Sequence, residues 1–353
     1  MRSSFSVDDV TILLKDITGM VEPLPAGVRE RFIQKGVHYC EMLPLEYKPT
    51  RKYMSTYESA LHNYAEPTAK AVSVLAEKLY NRRGRSLVIV SLARAGIPLG
   101  ILLKRYLRNK YKIEVKHYAI SIIRGRGIDR NAVNYILSRH RPEHIQFVDG
   151  WIGKGAILTQ LDKALADYPE IDGELGVISD PAGLTKLCGT HEDILIPSSC
   201  LNATVTGLIS RTFLRDDIIE KDDFHGAAYY SELEKEDLSE QFLTSIEKYF
   251  DYDTLADLPL APVRTKGINI VKNIAKEYQI RDINYIKPGI GEATRVLLRR
   301  IPWKIIINHE YQDSAELIHI LQLAEEKGVA CETSRTDLGN YKVCGMIKRL
   351  SDL

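Results

Sequence analysis

The sequence predicts an α/β protein, with a parallel, doubly wound sheet followed by a second, smaller α/β unit. Three observations lead there. Short apolar runs alternate with amphipathic helical stretches from Leu87 to Pro197, the pattern of parallel strands joined by crossover helices. Two of the strands run directly into glycine-containing loops, Ser91–Gly96 and Asp149–Gly155. A proline-containing stretch, DTLADLPLAPVRTKG, then interrupts the periodicity before a new set of helix and strand patterns begins.

In chain order, SVDDVTILLKDI has helical apolar spacing and a Ser6 or Asp8 cap, so it is expected as a helix. TYESALHNYAEPTAKAVSVLAEKLYNRRG is expected as a second helix. The alternating core follows: strands at Leu87–Val90, Glu114–Ile123, Ile145–Val148, Leu175–Ser179 and Ile194–Pro197, with helices near Ile97–Arg108, Asn131–Arg139 and Ala156–Tyr168. Ser198–Leu214 reads as a polar turn and a mostly helical segment, and DFHGAAYYSELEKEDLSEQFLTSIEKYF as continued helix. Residues 1–252 are expected to form one domain, 253–265 a linker and 266–353 the second domain. In the second domain GINIVKNIAKEYQI and SAELIHILQLAEEKGVA read as helices, Trp303–Glu310 as a strand, and DLGNYKVCGMIK as a turn plus strand.

A hydrophobic content of 44% is ordinary for a chain able to bury a core, and a net charge of +1 excludes a chain that is a polyelectrolyte overall. The charge is uneven: Arg264–Leu353 holds 15 Lys and Arg against 11 Asp and Glu, which points to an anionic partner for the second domain. MRSSFSVDDV has no signal-peptide apolar core and no apolar run is long enough to span a bilayer. The five cysteines form no CxxC pair. Together these predict a cytoplasmic protein with reduced thiols and no membrane partner.

The two glycine loops carry the chemistry. IQFVDGWIGKGAI, Ile145–Ile157, places Asp149, Gly150, Gly153, Lys154 and Gly155 between a strand and a helix start. Glycines let backbone N–H groups close on a phosphate, and a helix N-terminus favours an anion. SLARAG places Ser91, Arg94, Ala95 and Gly96 at another strand's C-terminal end, where open α/β sheets bind ligands. A tight turn without a ligand is the plain alternative for each loop, and the spacing is not that of a P-loop.

SLARAG resembles the pyrophosphate loop of type I phosphoribosyltransferases, and FVDGWIGKGAI stands where that family has its PRPP loop. HYAISIIRGRGID, between them, matches the family's third strand and active-site loop, with Arg124 and Arg126 as phosphate contacts. The usual PRPP loop has two adjacent acids and a Thr-Gly step; this chain has Asp149 alone, beside Gly150. That variant is similar to the phosphoribosyltransferases encoded with bacterial tellurium-resistance (Ter) stress proteins, a family that also carries the name cysteine protease StiP. The resemblance implies a transferase that uses PRPP and Mg²⁺ to attach ribose 5-phosphate to a base-like acceptor. Asp149, Arg94, Arg124 and Arg126 would be catalytic. Ser91, Ala95, Gly96, Gly150, Gly153, Lys154 and Gly155 would bind PRPP.

KPGIGEATRVLLRR resembles the Pelota-type RNA-binding domain. The resemblance implies contact with structured RNA through Lys287, Gly289, Gly291, Glu292 and Arg295; a capped helix with a solvated basic face is the alternative. Two further functions compete with the transferase. One is a cysteine peptidase with Cys200 as nucleophile and His191 or His225 nearest in sequence, although a free cysteine is more often an inert core residue. His38 with Cys40 is a second, less supported pair. The other is a non-catalytic RNA-binding regulator that senses PRPP. Asp222, Asp223 and His225 are weighed as metal ligands against a solvated turn, and no metal set is assigned.

Overall fold

The computed structural model describes residues 1–46, 48–253 and 260–347. The expected linker therefore lies partly outside the described residues. The elements are β1 (Thr11–Ile12), β2 (Lys15–Asp16), α1 (Ala26–Gln34), α2 (Arg51–Arg83), β3 (Val88–Ala93), α3 (Gly96–Tyr111), β4 (Lys116–Ile123), β5 (Gly127–Ile128), α4 (Arg130–Leu137), β6 (Ile145–Trp151), α5 (Ala156–Leu165), β7 (Gly176–Ser179), β8 (Cys188–Thr190), β9 (Gly226–Ala227) and α6 (Ser239–Glu247). Beyond the linker come α7 (Gly267–Glu277), β10 (Ile286–Pro288), α8 (Ile290–Arg299), β11 (Pro302–Ile307), α9 (Ile318–Glu326), β12 (Ala330–Thr333) and β13 (Val343–Ile347).

The main sheet runs β1-β4-β3-β6-β7-β8, all parallel, with β5 antiparallel to β4. Strand side chains alternate between its faces. Ile89 joins the apolar cluster with α2 and α3, whereas Val88 and Val90 join the cluster with α4 and α5. The chain leaves β3 on one side to make β4 and returns on the other to make β6. The loops after β3 and β6 therefore diverge at one end of the sheet and leave a crevice.

α2 is the longest element. Thr50 caps it by accepting from the Tyr53 amide at 3.1 Å, and Gly84, at φ 63°, ends it. It buries a face from Tyr53 to Leu79 against β7 and β8. The contact with β8 is close: a Cβ on Gly189 would lie 2.2 Å from the Ala71 carbonyl oxygen.

The smaller domain is a four-stranded sheet, β10-β13-β11-β12, in which only β11 and β12 run parallel. It does not have a core of its own separate from the first domain. One apolar cluster runs from Tyr53, Tyr57 and Leu61 of α2 through Cys200 and Leu201 to Ile290, Ala293 and Leu297 of α8 and Leu323 of α9.

Several local expectations fail for tertiary reasons. Ser6–Ile17 is not a helix. Thr11 and Ile12 extend the sheet beside β4, and Lys15–Asp16 pairs with β9. The helical spacing of Val10, Leu13, Leu14 and Ile17 is real, but these residues enter three different apolar clusters, which a single helix face cannot reach. Ile194–Pro197 is not a strand; the sheet ends instead on Cys188–Thr190, and Leu195 and Ile196 go into the core. Ser198–Leu214 holds only two 3-10 turns, and between 223 and 250 the α-helix is confined to Ser239–Glu247. The strands Ile286–Pro288 and Ala330–Thr333 were not anticipated.

Candidate functional site

The two glycine loops meet at the crevice. A Cβ on Gly96 would lie 3.0 Å from the Val148 carbonyl oxygen and 3.2 Å from the Asp149 Cα, so only glycine lets the loops approach this closely. Beyond them, between the β6 loop and α8, is a cavity of about 290 Å³ lined by both domains. Asp149, Gly153, Lys154, Gly155, Arg124, Lys287, Glu292 and Arg295 all line it, so the structure gathers these predicted residues from both domains.

Not every predicted residue is there. The Ser91 hydroxyl is buried, donating to the Gly96 carbonyl at 3.0 Å and lying 2.7 Å from His117 Nε2. It is thus held inside the fold rather than offered to a ligand. Arg94 is also buried, bound to Glu46 at 3.0 Å and to the Ile209 carbonyl. Arg126 points away, pairing with Glu41 at 2.7 Å in a separate groove. Ala95 and Gly150 support the loops; a Cβ on Gly150 would meet Leu99 at 3.1 Å.

Electrostatics in the cavity follow from burial. Burial pushes the Asp149 carboxyl up to about 6, against the opposing pull of Arg295 and the Gly150 amide, which donates at 2.7 Å. It also pushes the Lys154 ammonium down to about 7, helped by Lys287. The Lys154 head donates to the Ile283 and Ile286 carbonyls, and so ties the β6 loop to the second domain.

The glycine loop of the second domain faces inward. The Asp193 carboxylate accepts from the Ile290 amide at 3.0 Å and from the Lys342 amide at 2.9 Å. The helix end expected to grip an RNA phosphate is therefore capped by an acid of the first domain. A Cβ on Gly291 would fall 2.2 Å from the Trp151 ring, and one on Gly153 would fall 2.9 Å from Glu292. Glu292 pairs with Arg295 at 3.0 Å, and Arg295 lies over the Trp151 ring, 4.4 Å from its centroid. Gly289, Gly291, Glu292 and Arg295 thus lie at the contact between the two domains in this structure.

The cysteines rank differently from their order in the sequence analysis. Cys200 is fully buried and burial pushes its thiol up to about 12. Neither expected histidine reaches it: His191 lies against Cys188, with both ring nitrogens 3.7 Å from that sulfur, and His225 bonds the Ser121 hydroxyl at 2.8 Å. Cys40 is the thiol with a close imidazole. His38 Nδ1 is 2.9 Å from Cys40 Sγ, and His38 Nε2 is 3.0 Å from the Arg124 carbonyl oxygen. A carbonyl can only accept, so Nε2 carries the proton and Nδ1 turns its lone pair to the sulfur. Cys188 is less favourably set: His191 is held by the Asp180 carbonyl oxygen at 3.0 Å and lies 3.7 Å from the Asp180 carboxylate, but both its ring nitrogens are 3.7 Å from the Cys188 sulfur, so the sulfur sits beside the ring and no lone pair is aimed at it. Asp222, Asp223 and His225, weighed as metal ligands against a solvated turn, are not gathered into a metal-holding cluster. Asp223 is paired with Lys15 at 2.5 Å, and no cluster of three His, Cys, Asp or Glu among the described residues is arranged to hold a metal ion.

Comparison with known proteins decides the family. A family described as tellurite-like stress resistance cysteine protease StiP matches residues 3–247. The chain belongs to the StiP family. A cysteine protease StiP from Acinetobacter baylyi (strain ATCC 33305 / BD413 / ADP1) is 35% identical over 366 residues, covering 98% of this chain and 94% of that one. The PELOTA RNA binding domain matches residues 265–349. No solved structure matches. These findings overturn the phosphoribosyltransferase reading: both the StiP family description and the relative's name say cysteine protease, the reading placed second in the sequence analysis. Among the described residues, no helix is long and apolar enough to cross a membrane.

The sequence pattern ranks His38 with Cys40 low and singles out neither Tyr39 nor Arg211, both of which line the cavity. The His-x-Cys spacing in HYCEML was visible. Nothing local showed that the Arg124 carbonyl would orient the imidazole.

Proposed function

We propose that this StiP-family protein is a cysteine peptidase with Cys40 as nucleophile and His38 as its base. The observation that carries the reading is the 2.9 Å approach of His38 Nδ1 to Cys40 Sγ, with the far ring nitrogen held by a backbone carbonyl. A thiol becomes a strong nucleophile when an adjacent base takes its proton, and the base works when a third group fixes its orientation. His38 would accept the thiol proton as sulfur attacks the peptide carbonyl. It would then pass that proton to the leaving amine, and water would release the acyl group from sulfur.

The state described here is a resting one. Cys40 is fully buried. Burial pushes its thiol up to about 11 and lowers the His38 imidazole, so both are neutral. Glu41, next in the chain, is held by Arg126 at 2.7 Å, and Cys40's own carbonyl accepts from the Leu214 amide at 3.0 Å. Substrate access therefore requires the segment around residues 38–46 to move before attack.

The test is release of a fluorophore from peptide substrates by wild type, Cys40→Ser, Cys188→Ser and Cys200→Ser. Loss of turnover by roughly a thousandfold or more, confined to Cys40→Ser, is expected. Turnover that survives Cys40→Ser and is lost in another cysteine variant moves the nucleophile there.

A further inference from the structure

The cavity between the β6 loop and α8 carries more positive charge than the protein neutralises. Arg124, Lys154, Arg211, Lys287, Arg295 and Arg299 line it, with Asp149 and Glu292 as acids; Arg300 lines it too but is paired with Glu30 at 2.7 Å. Glu292 is shared between Arg295 at 3.0 Å and Lys287 at 3.9 Å. Lys154 is spent on two backbone carbonyls, Arg124 on the Asn284 side-chain oxygen at 2.9 Å, and Arg299 Nε on the Asn202 side-chain oxygen at 2.6 Å. None of these partners brings a countercharge. The Arg211 guanidinium makes no hydrogen bond or ion pair among the described residues and faces the Tyr39 ring 5.5 Å away. Burial, together with neighbouring Arg29 and Arg94, pushes it down to about 10. Glu46 attracts both Arg211 and Arg299 but is itself paired with Arg94 at 3.0 Å, so one buried carboxylate serves three guanidiniums and the cluster keeps a positive surplus that an anion would offset.

The cavity also adjoins the proposed nucleophile. Tyr39, the residue between His38 and Cys40, lines it. So does Arg124, whose carbonyl holds the His38 ring and whose amide donates to the Tyr39 hydroxyl at 3.0 Å. Ile33, Ile152, Leu158 and Val296 give the cavity apolar walls beside the cations. An aliphatic stem ending in a carboxylate matches that mixture, and an arginine fork fits a carboxylate with two parallel bonds.

We propose that this cavity is the specificity pocket of the peptidase site and takes an acidic residue, Asp or Glu, of the substrate peptide. The inference rests on the peptidase reading above, and its test separates the two. Cleavage of matched fluorogenic peptides with Glu or Gln flanking the scissile bond gives the preference. Uncleavable Glu and Gln peptides, and inorganic tripolyphosphate, are titrated calorimetrically into the Cys40→Ser protein. Each is repeated with Arg211→Gln, Arg211→Lys and, from the other domain, Lys287→Gln, with thermal melts to confirm folding.

A Glu-over-Gln preference of tenfold or more is expected. It should fall toward one in Arg211→Gln and in Lys287→Gln and be partly kept in Arg211→Lys. Cleavage without that preference overturns the pocket and leaves the peptidase. Binding of the Glu peptide, weakened tenfold in Arg211→Gln but with no cleavage by wild type, supports the acidic-peptide site and sinks the peptidase. Binding of tripolyphosphate but not of the Glu peptide overturns the proposal and gives the cavity to a phosphorylated small ligand.

Discussion

Replacing Gly291 by alanine tests the docking of the two domains, because two physical effects act on it with opposite sign. Gly291 lies in the first turn of α8, and its backbone is not in the left-handed region. In an undocked helix, alanine would gain up to about 1 kcal/mol, by restricting the unfolded chain. In the docked structure the new Cβ would fall 2.2 Å from Trp151 Cε2, 2.5 Å from Cζ2 and 2.7 Å from Nε1. Real carbon contacts do not come that close, so the ring or the helix must shift. The ring is itself confined by Arg295. Overpacking of this kind costs about 1–3 kcal/mol. The net expectation is a loss of about 1–2 kcal/mol, seen as a lower urea midpoint, together with a changed Trp151 emission at low urea. The protein's other tryptophan, Trp303, can be replaced by Phe to isolate that signal. An unchanged or raised midpoint with unchanged emission would refute the reasoning and separate the domains.

Other expectations follow from the same structure. Gly189→Ala should cost more than Gly291→Ala, about 3 kcal/mol or above, because the obstructing atom is the Ala71 backbone oxygen and backbone cannot swing aside; equal urea midpoints for the two variants would count against this. Burial holds both Asp149 and Asp193 up to about 6, well above an unfolded aspartate. The folded chain therefore binds those protons more tightly, and this contribution to stability is complete below about pH 4 and lost as pH rises through 6. Asp149→Asn should remove its share, at most about 3 kcal/mol, and flatten the stability profile between pH 4 and 6; an unaltered slope would show that the carboxyl is not desolvated. Cys331 is exposed while Cys40, Cys188, Cys200 and Cys344 are buried. A thiol-disulfide reagent should therefore find one fast thiol per native chain, and none in Cys331→Ser; two or more fast thiols would mean the Cys40 segment already opens without substrate.

Elements with strong, uniform periodicity were legible. α2, α3 and the strands β3, β4 and β6 fall where apolar pattern and end signals place them, because each buries one face against one neighbour. The exceptions share a cause. Val10, Leu13, Leu14 and Ile17 imitate a helix face but feed three separate clusters, so a long-range sheet edge overrides the local pattern. The candidate site divides the same way. The loops at Ser91–Gly96 and Asp149–Gly155 could be read as ligand-type turns from glycine and charge alone. Ser91's contact with His117, Arg94's tie to Glu46 and the capping of α8 by Asp193 depend on partners tens of residues or more away.

By itself, then, the sequence determined the α/β class, the strand-loop-helix grammar of the crevice and the presence of a second domain with a glycine loop and basic helix. It also held the His-x-Cys pair in plain view. Only the tertiary structure decided that His38 is oriented by the Arg124 carbonyl, that His191 and His225 are engaged away from Cys200, and that the glycine loop of the second domain is turned onto Trp151. The physical reason is one of range. Periodicity and turn chemistry act within a few residues, whereas the orientation of a base, the burial of a thiol and the surplus of positive charge in a cavity depend on groups that meet only when distant segments pack.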